Sequence, residues 1–82
     1  MRLDLLLCRL RFAKSRNVAQ RWILEGHMRL NGQRVMRPDC AIKAGDVLTL
    51  PLPRGVRLIA IDALPIRRGP AGEAQRHYRE AQ

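Results

Sequence analysis

The hydrophobic pattern changes period at Gly26, and that change points to an α+β fold. Upstream, Leu3, Leu6, Leu7 and Leu10 recur at i, i+3, i+4 and i+7, which is one stripe of a helix. Ser15 then offers a hydroxyl of the kind that caps helix N-termini, and Val18, Ala19, Trp22 and Ile23 follow at helical spacing. A second short helix is predicted from about Arg16 to Glu25, closed by Gly26 in the left-handed position. Downstream, Met28 and Leu30 alternate with His27 and Arg29, the period of a strand. Asn31-Gly32 supplies the two positive φ angles of a type I′ turn, so Gln33 to Val35 should return as the partner strand.

Pro38-Asp39 breaks that ladder and Ala44-Gly45-Asp46 makes another turn, where the Asp46 carboxylate can accept from nearby amides. Val47 to Leu50 and Val56 to Ile61 read as strands, with Pro51 and Pro53 punctuating the gap between them. Pro70 suits the first position of a third helix running through Glu73, Ala74, His77 and Tyr78 to the end. The expected architecture is two short N-terminal helices packed on a small antiparallel sheet, with a short C-terminal helix. Residues 1–62 are expected to form the domain, and residues 63–82 a basic, part-helical extension.

At 82 residues the chain cannot build two cores or a deep enclosed active site. Apolar runs such as Leu5 to Cys8 are far too short for a membrane span, and Arg2, Asp4, Arg9 and Arg11 interrupt what would be the apolar centre of a signal peptide. A cytoplasmic protein without membrane contact is expected. Cys8 and Cys40 lie too far apart for zinc spacing and read as reduced, buried small hydrophobes, with a disulfide or a reactive thiol as the alternatives. His27 and His77 are isolated and the acids are scattered, so no catalytic grouping, metal site or cofactor is expected.

Charge gives the positive lead. Sixteen Lys and Arg oppose seven Asp and Glu, for a formal net charge of +9. Residues 1–37 hold nine bases against two acids, and residues 38–82 hold seven against five. Fourteen of the bases are Arg, whose planar fork grips phosphate with paired hydrogen bonds, so nucleic acid is the leading partner class. Lys14, Ser15, Arg16, Gln20 and Arg21 are the candidate phosphate-binding surface, beginning at a helix N-terminus. Arg29, Arg34 and Arg37 lie on or near the hairpin and extend it. Asp4 should stabilise the first helix or orient an Arg. Arg67 and Arg68 read equally as a flanking nucleic-acid contact or as a basic linker. Phe12 and Trp22 sit at positions that favour burial, so recognition should rest on the phosphate backbone and its shape rather than on base stacking.

Arg2-Leu3-Asp4, Lys14-Ser15-Arg16 with Ala19-Gln20, Gly26, Asn31-Gly32, Val35, Pro38 and Gly45-Asp46 together resemble the S4-type RNA-binding domain over about residues 2–50. The resemblance implies the αL motif, two helices on a small sheet presenting one positive groove to structured RNA, with Arg2 on the RNA side. Arg11-Phe12, Lys14, Asn31-Gly32-Gln33-Arg34 and Arg67-Arg68-Gly69-Pro70-Ala71 with Glu73-Ala74 and Tyr78 are similar to the ribosome-associated heat shock protein 15 family. That likeness adds Arg11, Asn31 and Gly32 to the expected RNA-binding residues. It implies docking on 23S rRNA of the large ribosomal subunit, with tRNA as a further contact, in rescue or recycling of stalled particles; a monomer is expected. Leu5, Leu6 and Cys8 depart from that family, which tends to have a Lys and two Trp there, and its members often continue beyond the position of Gln82 in a longer basic tail. A DNA-binding helix-turn-helix regulator and an interaction module for an acidic protein are the alternatives.

Overall fold

The computed structural model describes residues 1–81. The leucine stripe forms helix α1 (Leu3–Arg9), and Leu3, Leu6, Leu7 and Leu10 are all buried. The first turn of α1 is anchored by a distant loop: the Leu3 and Asp4 amides donate to the carbonyls of Cys40 (2.9 Å) and Pro38 (3.1 Å). The Met1 ammonium likewise donates to the Ile42 carbonyl at 3.2 Å. Helix α2 (Arg16–Leu24) begins where the Ser15 hydroxyl accepts from the Val18 amide at 3.2 Å, and it closes at Gly26 with φ +81°. Its buried Ala19 and Ile23 join the α1 leucines in one core.

The hairpin forms at the expected turn. Strands β1 (Met28–Leu30) and β2 (Gln33–Val35) pair antiparallel, with Asn31 at φ 52° and Gly32 at φ 84°. Strands β3 (Val47–Leu52) and β4 (Gly55–Ile61) follow, with β5 (Tyr78–Glu80) near the end of the chain, and the sheet order is β2-β1-β3-β4-β5, all antiparallel. Leu48, Leu50, Ile59 and Ile61 turn inward to complete the core beneath the helices.

Two expectations are corrected. Pro51 does not end its strand: β3 continues through it to Leu52, with Pro51 opposite Val56. The other neighbour of β3, β1, pairs only with Leu48 and Thr49, so Pro51 lies beyond its reach and its missing N–H leaves no partner there unsatisfied. The C-terminal helix is only Ala71–Ala74 (α3), with Pro70 capping it rather than occupying its first turn. A 3-10 turn (Gln75–His77) follows, and Tyr78–Glu80 become β5 beside β4, pairing Ile61 with Tyr78 and Ile59 with Glu80. A helix of one turn carries the cost of nucleation with little propagation to offset it, whereas the free edge of β4 offers a ready row of backbone partners. Tyr78 also stacks obliquely on Phe12, with ring centroids 4.9 Å apart. Gln82, the last residue of the expected extension, lies outside the described residues.

The cysteines are free and only half-buried, not fully enclosed. Leu6 is buried, whereas Leu5 and Cys8, on other sides of α1, are half-buried. Among the described residues no helix is long and apolar enough to cross a membrane.

Candidate RNA interface

Asp4 organises the start of the interface. Its carboxylate is wholly buried, and it accepts from Arg2 Nε and Nη2 (both 3.1 Å), Gln20 Nε2 (2.9 Å) and its neighbour's amide, Leu5 N (2.7 Å). Arg16 Nη2 stands 3.6 Å away. Burial alone would raise the pKa of this carboxyl. The hydrogen bonds from Gln20, Arg2 and the Leu5 amide, with the Arg2 charge, outweigh it and hold the group below the usual carboxylate range. One buried anion thus draws Arg2 and Gln20, and with them Arg16, to the meeting point of α1 and α2. Gln20 spends its amide on Asp4, so its contribution there is to the scaffold.

Lys14 and Arg21 are exposed and have no carboxylate partner among the described residues. The hairpin adds a second pair. Arg29 and Arg34 face each other across β1 and β2, and like charges directly opposite are unfavourable unless an anion lies between them. Each is fixed by a neutral carbonyl rather than an acid: Arg29 Nη1 by Gly32 (3.2 Å) and Arg34 Nε by Gly26 (2.9 Å). A Cβ at residue 26 would stand 3.0 Å from Arg34 Nη2, so a larger residue there would have to shift that guanidinium. Gly26, His27, Arg29 and Arg34 line one small polar cleft at the end of α2.

Asn31 braces the fold instead of offering its amide outward. Its Nδ2 donates to Asp46 Oδ1 (3.1 Å) and its Oδ1 accepts from the Val47 amide (2.9 Å). Asp46, nearly buried, also accepts from the Lys43 amide at 3.0 Å. Burial opposes its charge, but the Lys43 amide, Asn31 and the Lys43 side chain lower its pKa overall. Gly32 lies exposed at the tip of the turn. Arg37 forms a two-pronged pair with Asp39 at 3.3 Å and shares a shallow groove with Arg34. Arg11 adopts a left-handed φ of 67° and donates to the Gly69 carbonyl at 3.1 Å.

Sequence reasoning cast Asp4 as orienting an Arg but missed the Gln20 and Arg16 contacts that make it a hub, and it passed over Arg9. Arg68 was expected as a flanking contact or a linker; its bond to the Cys8 carbonyl, 60 residues away, left no trace in the pattern.

Residues 1–48 match the S4 domain family. The chain belongs to that family. Relatives of this S4 protein include the small ribosomal subunit protein uS4 of Heliobacterium modesticaldum, 45% identical over 49 residues, which are 60% of this chain and 24% of that protein. The uS4 protein of Gloeobacter violaceus is 35% identical over 71 residues, covering 84% of this chain and 34% of its own. The S4 protein therefore spans only about a quarter to a third of these relatives' length. The solved trimeric structure of Vibrio cholerae Heat Shock Protein 15 superposes with a TM-score of 0.91 at 34% identity, covering 99% of this chain and 81% of that one. The chain is thus a member of the S4 family that is structurally close to Heat Shock Protein 15 over nearly its whole length.

Proposed function

We propose that this S4 protein docks on structured 23S rRNA of the large ribosomal subunit, in the cytoplasm, during rescue or recycling of particles stalled after stress. The observation that carries the RNA face is the opposed Arg29–Arg34 pair, held by carbonyls, together with Lys14 and Arg21, which have no carboxylate partner among the described residues. These groups keep their full charge and most of their N–H donors, the combination that phosphate oxygens require. Arg2, Arg16 and Ser15 lie with Lys14 near the head of α2, Arg21 follows in its last turn, and Arg11 and Arg37 lie at the margins. Asn31 and Gly32 shape the hairpin tip, and Gln20 sets Asp4. In this reading residues 1–62 carry the main docking face, residues 63–82 supplement it, tRNA is a further contact, and the acting form is a monomer.

The ribosomal context is supported by the uS4 relatives and by the likeness to Heat Shock Protein 15. Competition at one salt concentration between a structured 23S rRNA fragment and duplex DNA tests the partner. Preference for the rRNA is expected, and preference for the duplex would overturn the reading in favour of a DNA regulator. Association with ribosomal particles that survives nuclease would instead indicate an acidic protein partner. Sedimentation velocity with and without RNA tests the monomer, since the Vibrio cholerae protein is trimeric in its solved structure.

A further inference from the structure

Residues 65–69 lie across the end of α1, and the two segments are stitched in both directions. Arg9 Nη1 donates to the Pro65 carbonyl (3.0 Å) and Arg11 Nη1 to the Gly69 carbonyl (3.1 Å), while Arg68 Nε reaches back to the Cys8 carbonyl (3.1 Å). None of the three guanidinium groups touches a carboxylate among the described residues. Each has one edge pinned to a neutral acceptor and keeps its positive charge, with other N–H donors left over. The neighbouring residue has the opposite fate, since Arg67 is neutralised by Glu73 at 2.9 Å.

The backbone gives a second indication. Arg11 sits at φ 67°, a conformation that costs a non-glycine residue about 1 kcal/mol or more and that Gly or Asn would adopt more readily. An arginine at that position supplies a side chain that the glycine could not. The stitch is also held from the far side, where Tyr78 packs on Phe12 and β5 joins the sheet. Ordering three unneutralised guanidinium groups side by side is unfavourable for the protein alone and favourable next to a polyanion.

We propose that Arg9, Arg11 and Arg68 form a second phosphate-binding surface, built jointly by the end of α1 and the returning segment 65–69, that grips a further stretch of the RNA backbone beyond the α2 and hairpin face. Lys14 and Ser15 follow Arg11 within four residues, so the two surfaces are continuous along the chain. The inference rests on RNA being the partner. It extends the footprint past residue 48, where the S4 match ends.

The test measures binding of a structured 23S rRNA fragment across a salt series. Arg68→Gln and Arg9→Gln should each weaken affinity about five- to ten-fold and reduce the salt slope by about 0.7 to 0.9 per residue, the signature of one lost phosphate contact. Arg54→Gln, which removes an equal charge from the exposed β3–β4 turn, should change affinity less than two-fold, as a general field effect would. Arg68→Lys should keep the salt slope, because the charge survives. Thermal melting of each variant checks that segment 65–80 stays docked. As a measurement independent of mutation, the Nε–H resonances of Arg11 and Arg68 should shift on adding RNA to the intact protein. Equal effects of Arg68→Gln and Arg54→Gln, or an unmoved Arg68 resonance in a saturated complex, would overturn the proposal. If Lys14→Glu with Arg21→Glu abolishes binding while Arg68→Gln does nothing, only the second surface fails. If the unaltered protein ignores the fragment, the RNA docking role itself fails.

Discussion

The two halves of the molecule use the same residue type to opposite ends. From β3 onward half of the bases meet an acid among the described residues: Arg57 pairs with Glu80, Arg67 with Glu73 and Arg79 with Asp62, while Lys43 just before β3 pairs with Asp46. In the helical half and the first hairpin, Arg9, Arg11, Lys14, Arg21, Arg29 and Arg34 have no such partner among the described residues. The exposed pairs of the later half lock the sheet edge and contribute little each. The unneutralised groups concentrate the surplus of +9 where the helices and hairpin meet. Net charge therefore says less about partner choice than the pattern of neutralisation does.

Asp4 is the acid that breaks this contrast, and removing it should have the largest effect. Asp4→Ala strips the shared partner from Arg2, Arg16 and Gln20 and should cost about 3 kcal/mol or more of stability, read as a drop in the thermal midpoint of roughly 10 to 20 °C. A midpoint unchanged within 2 to 3 °C, a shift of about 0.5 kcal/mol, would show that the cluster is incidental. The pH response follows from the same carboxylate. Asp4 and Asp46 both have folded pKa values below the ordinary 3.8, so the unfolded chain binds more protons than the folded one as the solution becomes acidic. Their stabilisation is complete above that value and is lost as pH falls through the lower folded pKa, with no slope from these two groups above about pH 5. Acid titration followed by circular dichroism should show the loss confined to that range.

Next in size, Lys14→Glu with Arg21→Glu should weaken rRNA binding on the order of 100-fold with the melting curve unchanged, because neither side chain bonds within the fold. Arg16 is a poorer choice, since Glu there would place a second carboxylate close to buried Asp4. Gly26→Ala should cost about 1 to 2 kcal/mol from its φ of +81° and displace Arg34, lowering both the thermal midpoint and RNA affinity. The smallest effect belongs to the neutralised half. Arg57→Gln with Glu80→Gln should leave rRNA affinity within about two-fold and stability within about 1 kcal/mol. A large loss of binding in that pair would erase the contrast between the halves.

Much of the fold was legible because its signals are local. The leucine stripe, the Ser15 cap, Gly26 and the Asn31-Gly32 turn each act within a few residues, and each stands where the pattern predicted. The candidate site was legible as a set of residue types but not as a set of roles. Gln20 and Asn31, expected as RNA contacts, also bond Asp4, Asp46 and the Val47 amide within the fold, a role the residue types did not announce. The C-terminal segment misled because Glu73 to Tyr78 has helical composition, while the edge of β4 that captures Tyr78–Glu80 is formed by residues about 20 positions earlier.

By itself the amino-acid sequence determined the elements from α1 to β4, their order and the excess of positive charge, since periodicity, capping and turn chemistry operate over a handful of neighbours. Only the tertiary structure decided which guanidinium groups keep that charge. Ion pairs such as Arg57–Glu80 and Arg79–Asp62 join positions 23 and 17 residues apart, and the Arg68 stitch to Cys8 spans 60. Coulomb attraction and hydrogen bonding act over a few ångströms of space, and that proximity exists only once the sheet has closed beneath the helices.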